Sequence, residues 1–151
     1  MKIGVASDHL GFTLKQNLTE KLRQTGYNVV DYGCSSKEIC DYPDYGFILG
    51  EAVRDGKIDY GIAICGSAIG ISIACNKVKD VRCAKVSNVE EVIHGKGRDH
   101  VNVIALNGDT KINDALDMIE SLILTPYEKE ERYFNRIKKI EDYESGNYNG
   151  N

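Results

Sequence analysis

The residues best placed to do chemistry are Cys65-Gly66-Ser67-Ala68-Ile69-Gly70. They follow a short apolar run, Ile58 to Ile64, and precede Ile71 to Lys77, which reads as a helix. A strand that stops at a cysteine and turns through small residues into a helix sets a thiol beside the N–H groups of a helix N-terminus. Those groups and the helix dipole favour negative charge, including that of a thiolate. Small side chains let backbone N–H groups approach a ligand oxygen closely, so this turn could hold a developing oxyanion. Losing one such donor typically costs about 3 kcal/mol of transition-state stabilisation. The plainer reading of Cys65 is a structural thiol closing a strand.

Other candidates have the same double character. Asp8 and His9 end the first apolar strand; Asp8 also suits an N-cap for a helix starting near Gly11. Asp41-Tyr42-Pro43-Asp44 is a turn into a helix, with Pro43 and Asp44 as helix initiators and Tyr42 able to line a pocket. Arg132 and Arg136, four apart, share a helix face. They suit either solvated Glu–Arg pairs or a phosphate dianion. Arg98-Asp99-His100 reads as a salt-bridged or solvated loop before the fifth strand, and His94 as a helix-surface histidine. No Gly-x-Gly-x-x-Gly follows the first strand, and there is neither a Gly-Lys-Ser/Thr loop nor a Gly-x-Ser-x-Gly elbow. Nothing therefore supports a dinucleotide cofactor. Cys65 has no arginine several residues downstream, so a cysteine-phosphatase loop is also unsupported.

The elements that must position these residues alternate strand and helix. Strands are expected at 3–6, 27–32, 60–64, 81–86 and 101–106. Leu14, Leu18 and Leu22 recur at four-residue spacing and mark a helix ending near Gly26. Further helices are expected at 44–54, 71–77, 89–93, 112–123 and 128–143. A single domain over 1–143 and a polar tail over 144–151 follow. This rhythm argues an α/β fold with a parallel sheet and helices on both faces. Ligands of such folds bind beyond the carboxyl ends of strands, where Asp8-His9, Cys65 to Gly70 and Ser87-Asn88 fall.

Composition limits the function classes. The 151 residues, 42% hydrophobic and 28% charged, suit one soluble globular domain. A net charge of −4 argues against nucleic-acid or acidic-membrane partners. No apolar run is long enough to span a bilayer, and no signal peptide is visible, so a cytoplasmic location is expected. The five cysteines form no Cys-x-x-Cys pair and no zinc-ligand spacing. Reduced, buried thiols are the plain expectation. The ten-residue spacing of Cys65 and Cys75 and the lack of a Cys-x-x-Cys pair argue against a thiol switch.

Taken in order, several segments resemble the type B ribose-5-phosphate isomerases and the galactose-6-phosphate isomerase subunits. They are Ser7-Asp8-His9, Asp41-Tyr42-Pro43-Asp44, Ile64 to Gly70, Ala74-Cys75-Asn76-Lys77, Asn102 to Leu106, and Glu131-Arg132 through Arg136-Ile137. The resemblance covers nearly the whole chain. It implies a Rossmann-like three-layer αβα sandwich with a five-stranded parallel sheet. It also implies a homodimer or dimer of dimers with the active site between subunits, acting on a phosphosugar with no metal and no cofactor. By this resemblance Cys65 is the base that moves a proton between C1 and C2, and Ser67 assists ring opening. The N–H groups from Gly66 through Ala68 and Ile69 to Gly70 stabilise the enediolate. Asp8, His9, Tyr42 and Asp99 contact the sugar, and Arg132 and Arg136 hold the phosphate.

The departures fall together. The family usually has His-Asn, the histidine being its ring-opening acid, where this chain has Arg98-Asp99. Arginine is no acid near neutral pH. Asp109 stands where an arginine is usual, Tyr133 where a histidine is common, and Ala68 where a glycine is common. Three readings follow. The first is a working isomerase of ribose 5-phosphate or a related sugar, its ring opened by His9, His100 or water. The second is one subunit of a heteromeric hexose-6-phosphate isomerase. The third is a non-catalytic phosphosugar-binding relative.

Overall fold

The computed structural model describes residues 1–150. Five strands, β1 (Lys2–Ser7), β2 (Asn28–Asp31), β3 (Tyr60–Cys65), β4 (Cys83–Lys85) and β5 (Val103–Asn107), form one all-parallel sheet in the order β2-β1-β3-β5-β4. Six helices complete it: α1 (Phe12–Gln24), α2 (Tyr42–Arg54), α3 (Ile69–Asn76), α4 (Val89–Asp99), α5 (Ile112–Leu124) and α6 (Glu131–Glu144). The chain runs outward from β1 to β2, then returns to lay β3 on the other side of β1. The loops leaving β1 and β3 therefore part from adjacent strand ends in opposite directions. That is the switch point where open α/β sheets bind ligands.

Each central strand is apolar on both faces, as a sheet covered twice requires. Ile62 and Ile64 of β3 join Ile3, Val5, Ile104 and Leu106 in the core beneath α1, α4 and α5. Ala63 and Cys65, alternating with them, face α2 and α3 with Ala6, Val103 and Ala105. Small residues on this second face draw its helices close. A Cβ added at Gly46 of α2 would stand 2.8 Å from Ala74 Cβ of α3.

Several boundaries differ from expectation. Helix α4 continues through Gly95 and Gly97 to Asp99, so Arg98 and Asp99 sit in its last turn, not in a loop. Both glycines are buried, and packing outweighs a helix penalty of about 1 kcal/mol for each. Helix α2 begins at Tyr42, with Pro43 in its first turn. Strand β4 shrinks to three residues because Arg82 N–H donates to the Asn102 side chain instead of a strand partner. Helix α6 starts at Glu131, since Glu128 is held outside it by its N–H to Gly97 O and its carboxylate on Arg98. Its far end includes Glu144, which accepts from Asp80 N–H and so does not belong to a loose tail.

Replacing Gly46 with Val should lower stability by roughly 1–3 kcal/mol through overpacking. A urea midpoint shifted down at constant m checks this; an unchanged midpoint would mean the α2–α3 contact relaxes freely.

Candidate active site

Parallel pairing brings three strand ends together. Ser7 of β1 pairs with Ile64 of β3, and Cys65 pairs with Asn107 of β5. Beyond the strands, Asp8 N–H donates to Ile64 O at 3.1 Å and Gly108 N–H to Cys65 O at 2.8 Å. Cys65 is thus fixed at the centre of the sheet's carboxyl edge, a residue 3% exposed that packs on the α2–α3 face. The next turn passes through Ala68 at φ 65°, in the left-handed region, which costs a residue with a Cβ about 1 kcal/mol. That strain turns the chain sharply into α3, leaving the first N–H groups of the helix without intrahelical acceptors. Ser67 Oγ takes one of them, accepting from Ile69 N–H at 3.2 Å.

Three other expected residues gather here. Asp8 is buried, and its Oδ1 accepts from the N–H groups of Leu10 and Gly11. It shapes the turn into α1, whose N-cap is Gly11 rather than Asp8. His9 is half-buried, with Nδ1 3.3 Å from both the N and the O of Cys40. Tyr42 lies over Gly70, where an added Cβ would meet its ring at 2.5 Å. Asp8, His9, Tyr42 and the Cys65–Gly70 turn therefore form one cluster.

The remaining candidates do not join it. Gly61 N–H donates to Asn102 O, so the segment leading into β5 lies beside the start of β3. Cys65 is four residues further along, about 13 Å at strand rise. Arg98 and Asp99, just before that segment, are therefore at the opposite end of the sheet from their own Cys65. Arg132 and Arg136 are there too. The guanidinium carbons of Arg98, Arg132 and Arg136 lie 5.7, 4.8 and 5.9 Å from the ring centre of the buried Tyr133. Glu128 pairs with Arg98 at 2.8 Å and Glu130 with Arg132 at 2.7 Å. The hydrogen bond that Arg98 donates to Glu128 pushes the Arg98 pKa above its ordinary value. Asp109 departs from this pattern, since it follows β5 on the Cys65 side.

His100 is sealed. It is 7% exposed, stacked on Tyr127 at 4.0 Å and edge-on to Phe134, and its Nε2 is buried without a partner. That removes it from the candidate ring openers. His94 is exposed on α4, as expected. Cys75 turns its thiol to Gly46 O and to Cys83 rather than to Cys65. Among the described residues no His, Cys, Asp or Glu side chains gather as a metal site would require, and no helix is long and apolar enough to cross a membrane.

Two contacts had little or no signal in the sequence. The His9–Cys40 contact spans 31 residues, and the Tyr133 platform joins α6 to α4. Only the four-residue spacing of Arg132 and Arg136 hinted at the second.

A doubly wound α/β domain with a thiol at its strand switch, Rossmann-like in architecture, is the class this fold and site define. The sequence profile of the Ribose/Galactose Isomerase family matches residues 3–140. Ribose-5-phosphate isomerase B of Escherichia coli is 33% identical over 139 residues, 92% of this chain and 93% of that protein. Among solved structures, ribose-5-phosphate isomerase B of Clostridium thermocellum matches with a TM-score of 0.91 at 37% identity, covering 97% of this chain and 99% of that one. Ribose-5-phosphate isomerase B of Mycoplasma genitalium, solved with bound ribulose-5-phosphate, matches at 0.88 with 33% identity over 95% and 96%. The chain belongs to the ribose/galactose isomerase family, and with it to the isomerases.

Burial, then the charges of Arg82 and Lys96, lower the His100 pKa below its ordinary 6.5. The unfolded chain therefore takes up this proton first as pH falls. The stability is present above about pH 6.5 and is lost as pH drops through the folded value. The urea midpoint should decline below about pH 6.5, and His100→Phe should flatten that part of the profile. An equally steep decline in the variant would assign the loss to other groups.

Proposed function

We propose that this chain is a metal-independent aldose–ketose isomerase of a phosphosugar, with ribose 5-phosphate to ribulose 5-phosphate as its reaction, acting in the cytoplasm. The observation that carries this reading is the buried Cys65 thiol at the mouth of the α3 N-terminal turn, flanked by Asp8, His9 and Tyr42.

A proton on the carbon beside a carbonyl is acidic only where the resulting enediolate is stabilised. Cys65, as thiolate, removes that proton from C2. The free N–H groups of the 66–70 turn hold the developing oxyanion, with the dipole of α3 behind them. The hydroxyl proton passes from O2 to O1 as the thiol returns the carbon-bound proton to C1, and aldose becomes ketose with no net exchange of electrons. Asp8, His9 and Tyr42 hold the sugar so that the reacting carbons face the sulfur.

The phosphate end calls for a second copy of the chain. Arg132 and Arg136 are too far from their own Cys65 to serve the same sugar, so a homodimer, alone or paired, supplies them from the neighbouring subunit along with Arg98 and Asp99. Exposed Phe47 and Ile48 of α2 and Ile69 and Ile73 of α3 offer apolar surface to such a partner. The hexose-6-phosphate heteromer keeps its place as a second reading because of Arg98, which is tied to Glu128 and donates no proton.

Cys65→Ala should abolish ribulose 5-phosphate formation while leaving ribose 5-phosphate affinity within about threefold, as expected for a group acting mainly in the transition state. Retained turnover would remove Cys65 as the base. Mixing Cys65→Ala with Arg136→Ala subunits should restore part of the activity that each lacks alone. If neither mixing nor co-expression restores any, the two clusters do not meet across subunits.

A further inference from the structure

An aldose 5-phosphate of five carbons closes into a furanose ring, and a closed ring has no carbonyl beside its C2 proton. An enediolate route is therefore speeded by a group that protonates the ring oxygen as the C1 hydroxyl gives up its proton. This inference rests on the isomerase reading above.

The chain has three histidines. His94 is exposed on α4, and His100 is buried against Tyr127 and Phe134. A second copy of the chain brings the same two, and an Arg98 bound to Glu128. Asp8 commits Oδ1 to two backbone N–H groups. Of the histidines, His9 alone stands at the Cys65 edge, with Nδ1 on Cys40 and Nε2 uncommitted. It is two residues past Ser7, the end of the strand adjacent to the one that ends in Cys65.

The contact with Cys40 gives the ring its orientation. The Cys40 carbonyl can accept Nδ1–H in both the neutral imidazole and the imidazolium, leaving Nε2 as the nitrogen that gains and loses a proton. The Cys40 N–H, also 3.3 Å from Nδ1, serves the other tautomer without rotation of the ring.

We propose that His9 is the ring-opening catalytic residue. The bond between C1 and the ring oxygen breaks. The ring oxygen takes the proton from Nε2 of the His9 imidazolium. The C1 hydroxyl releases its proton to water and becomes the aldehyde carbonyl, and His9 is reprotonated from water. No electrons are gained or lost. Cys65 acts only on the opened chain.

Exchange between the α and β anomers of ribose 5-phosphate, followed by NMR exchange spectroscopy, reads ring opening directly. In the Cys65→Ala background, where isomerisation is blocked, the protein should still accelerate anomer exchange above the buffer rate. Adding His9→Asn, whose amide can keep the Cys40 contact but has no acid to give, should remove that acceleration. His9→Gln, which places an amide nearer the Nε2 position, should remove it as well. In the otherwise native chain, either substitution should lower turnover by roughly 10²-fold, the usual scale of a general acid. Anomer exchange accelerated equally with and without His9, or not at all in Cys65→Ala, overturns the proposal. Failure of the isomerase reading has a different signature: the native chain accelerates anomer exchange yet forms no ribulose 5-phosphate.

Discussion

Everything at the candidate site depends on the parallel register of β1, β3 and β5. Pairing Ser7 with Ile64 and Cys65 with Asn107 brings three strand ends to one edge. Hydrogen bonds from Asp8 and Gly108 then lock the loops that leave them. Because the side-chain period of a strand is two, a slip of one residue would turn Cys65 from the α2–α3 face into the opposite core. Register is held by the very residues that alternate with the thiol, Ile62 and Ile64 on one side and Ala63 on the other. The core is therefore also the device that aims the cysteine.

The same register that gathers the Cys65 cluster separates it from the arginine cluster. A parallel sheet puts every strand start at one end and every strand finish at the other. Residues before β5 cannot reach residues after β3 on the same chain. Arg98 and Asp99 are at the first end, and the Tyr133 ring gathers Arg132 and Arg136 beside them. The chain thus carries its Cys65 cluster and its arginine cluster at opposite ends of the sheet, an arrangement that fits the proposal that two copies meet.

Much of this was legible in the sequence because it rests on local signals. The Leu14, Leu18, Leu22 spacing and the short apolar runs disclosed helices and strands, and Cys65-Gly66-Ser67-Ala68 announced a tight strand-to-helix turn. The order of the strands, and the backbone contact from Cys40 to His9, depend on pairings between distant residues and left no local trace. Helix α4 misled because Gly95 and Gly97 are poor helix formers, yet close packing requires them there. The exclusion of His100 was equally hidden: nothing in Arg98-Asp99-His100 discloses that a tyrosine 27 residues later stacks on the imidazole.

The central claim is that this chain moves a proton at C2 of a phosphosugar through the Cys65 thiol. Incubating the purified native chain with ribose 5-phosphate in heavy water, and following deuterium into the sugar by NMR or mass spectrometry, tests it most directly. The account predicts deuterium at C2 of recovered ribose 5-phosphate and at C1 of ribulose 5-phosphate, and none of either with Cys65→Ala. A native chain that binds ribose 5-phosphate yet incorporates no deuterium would contradict it.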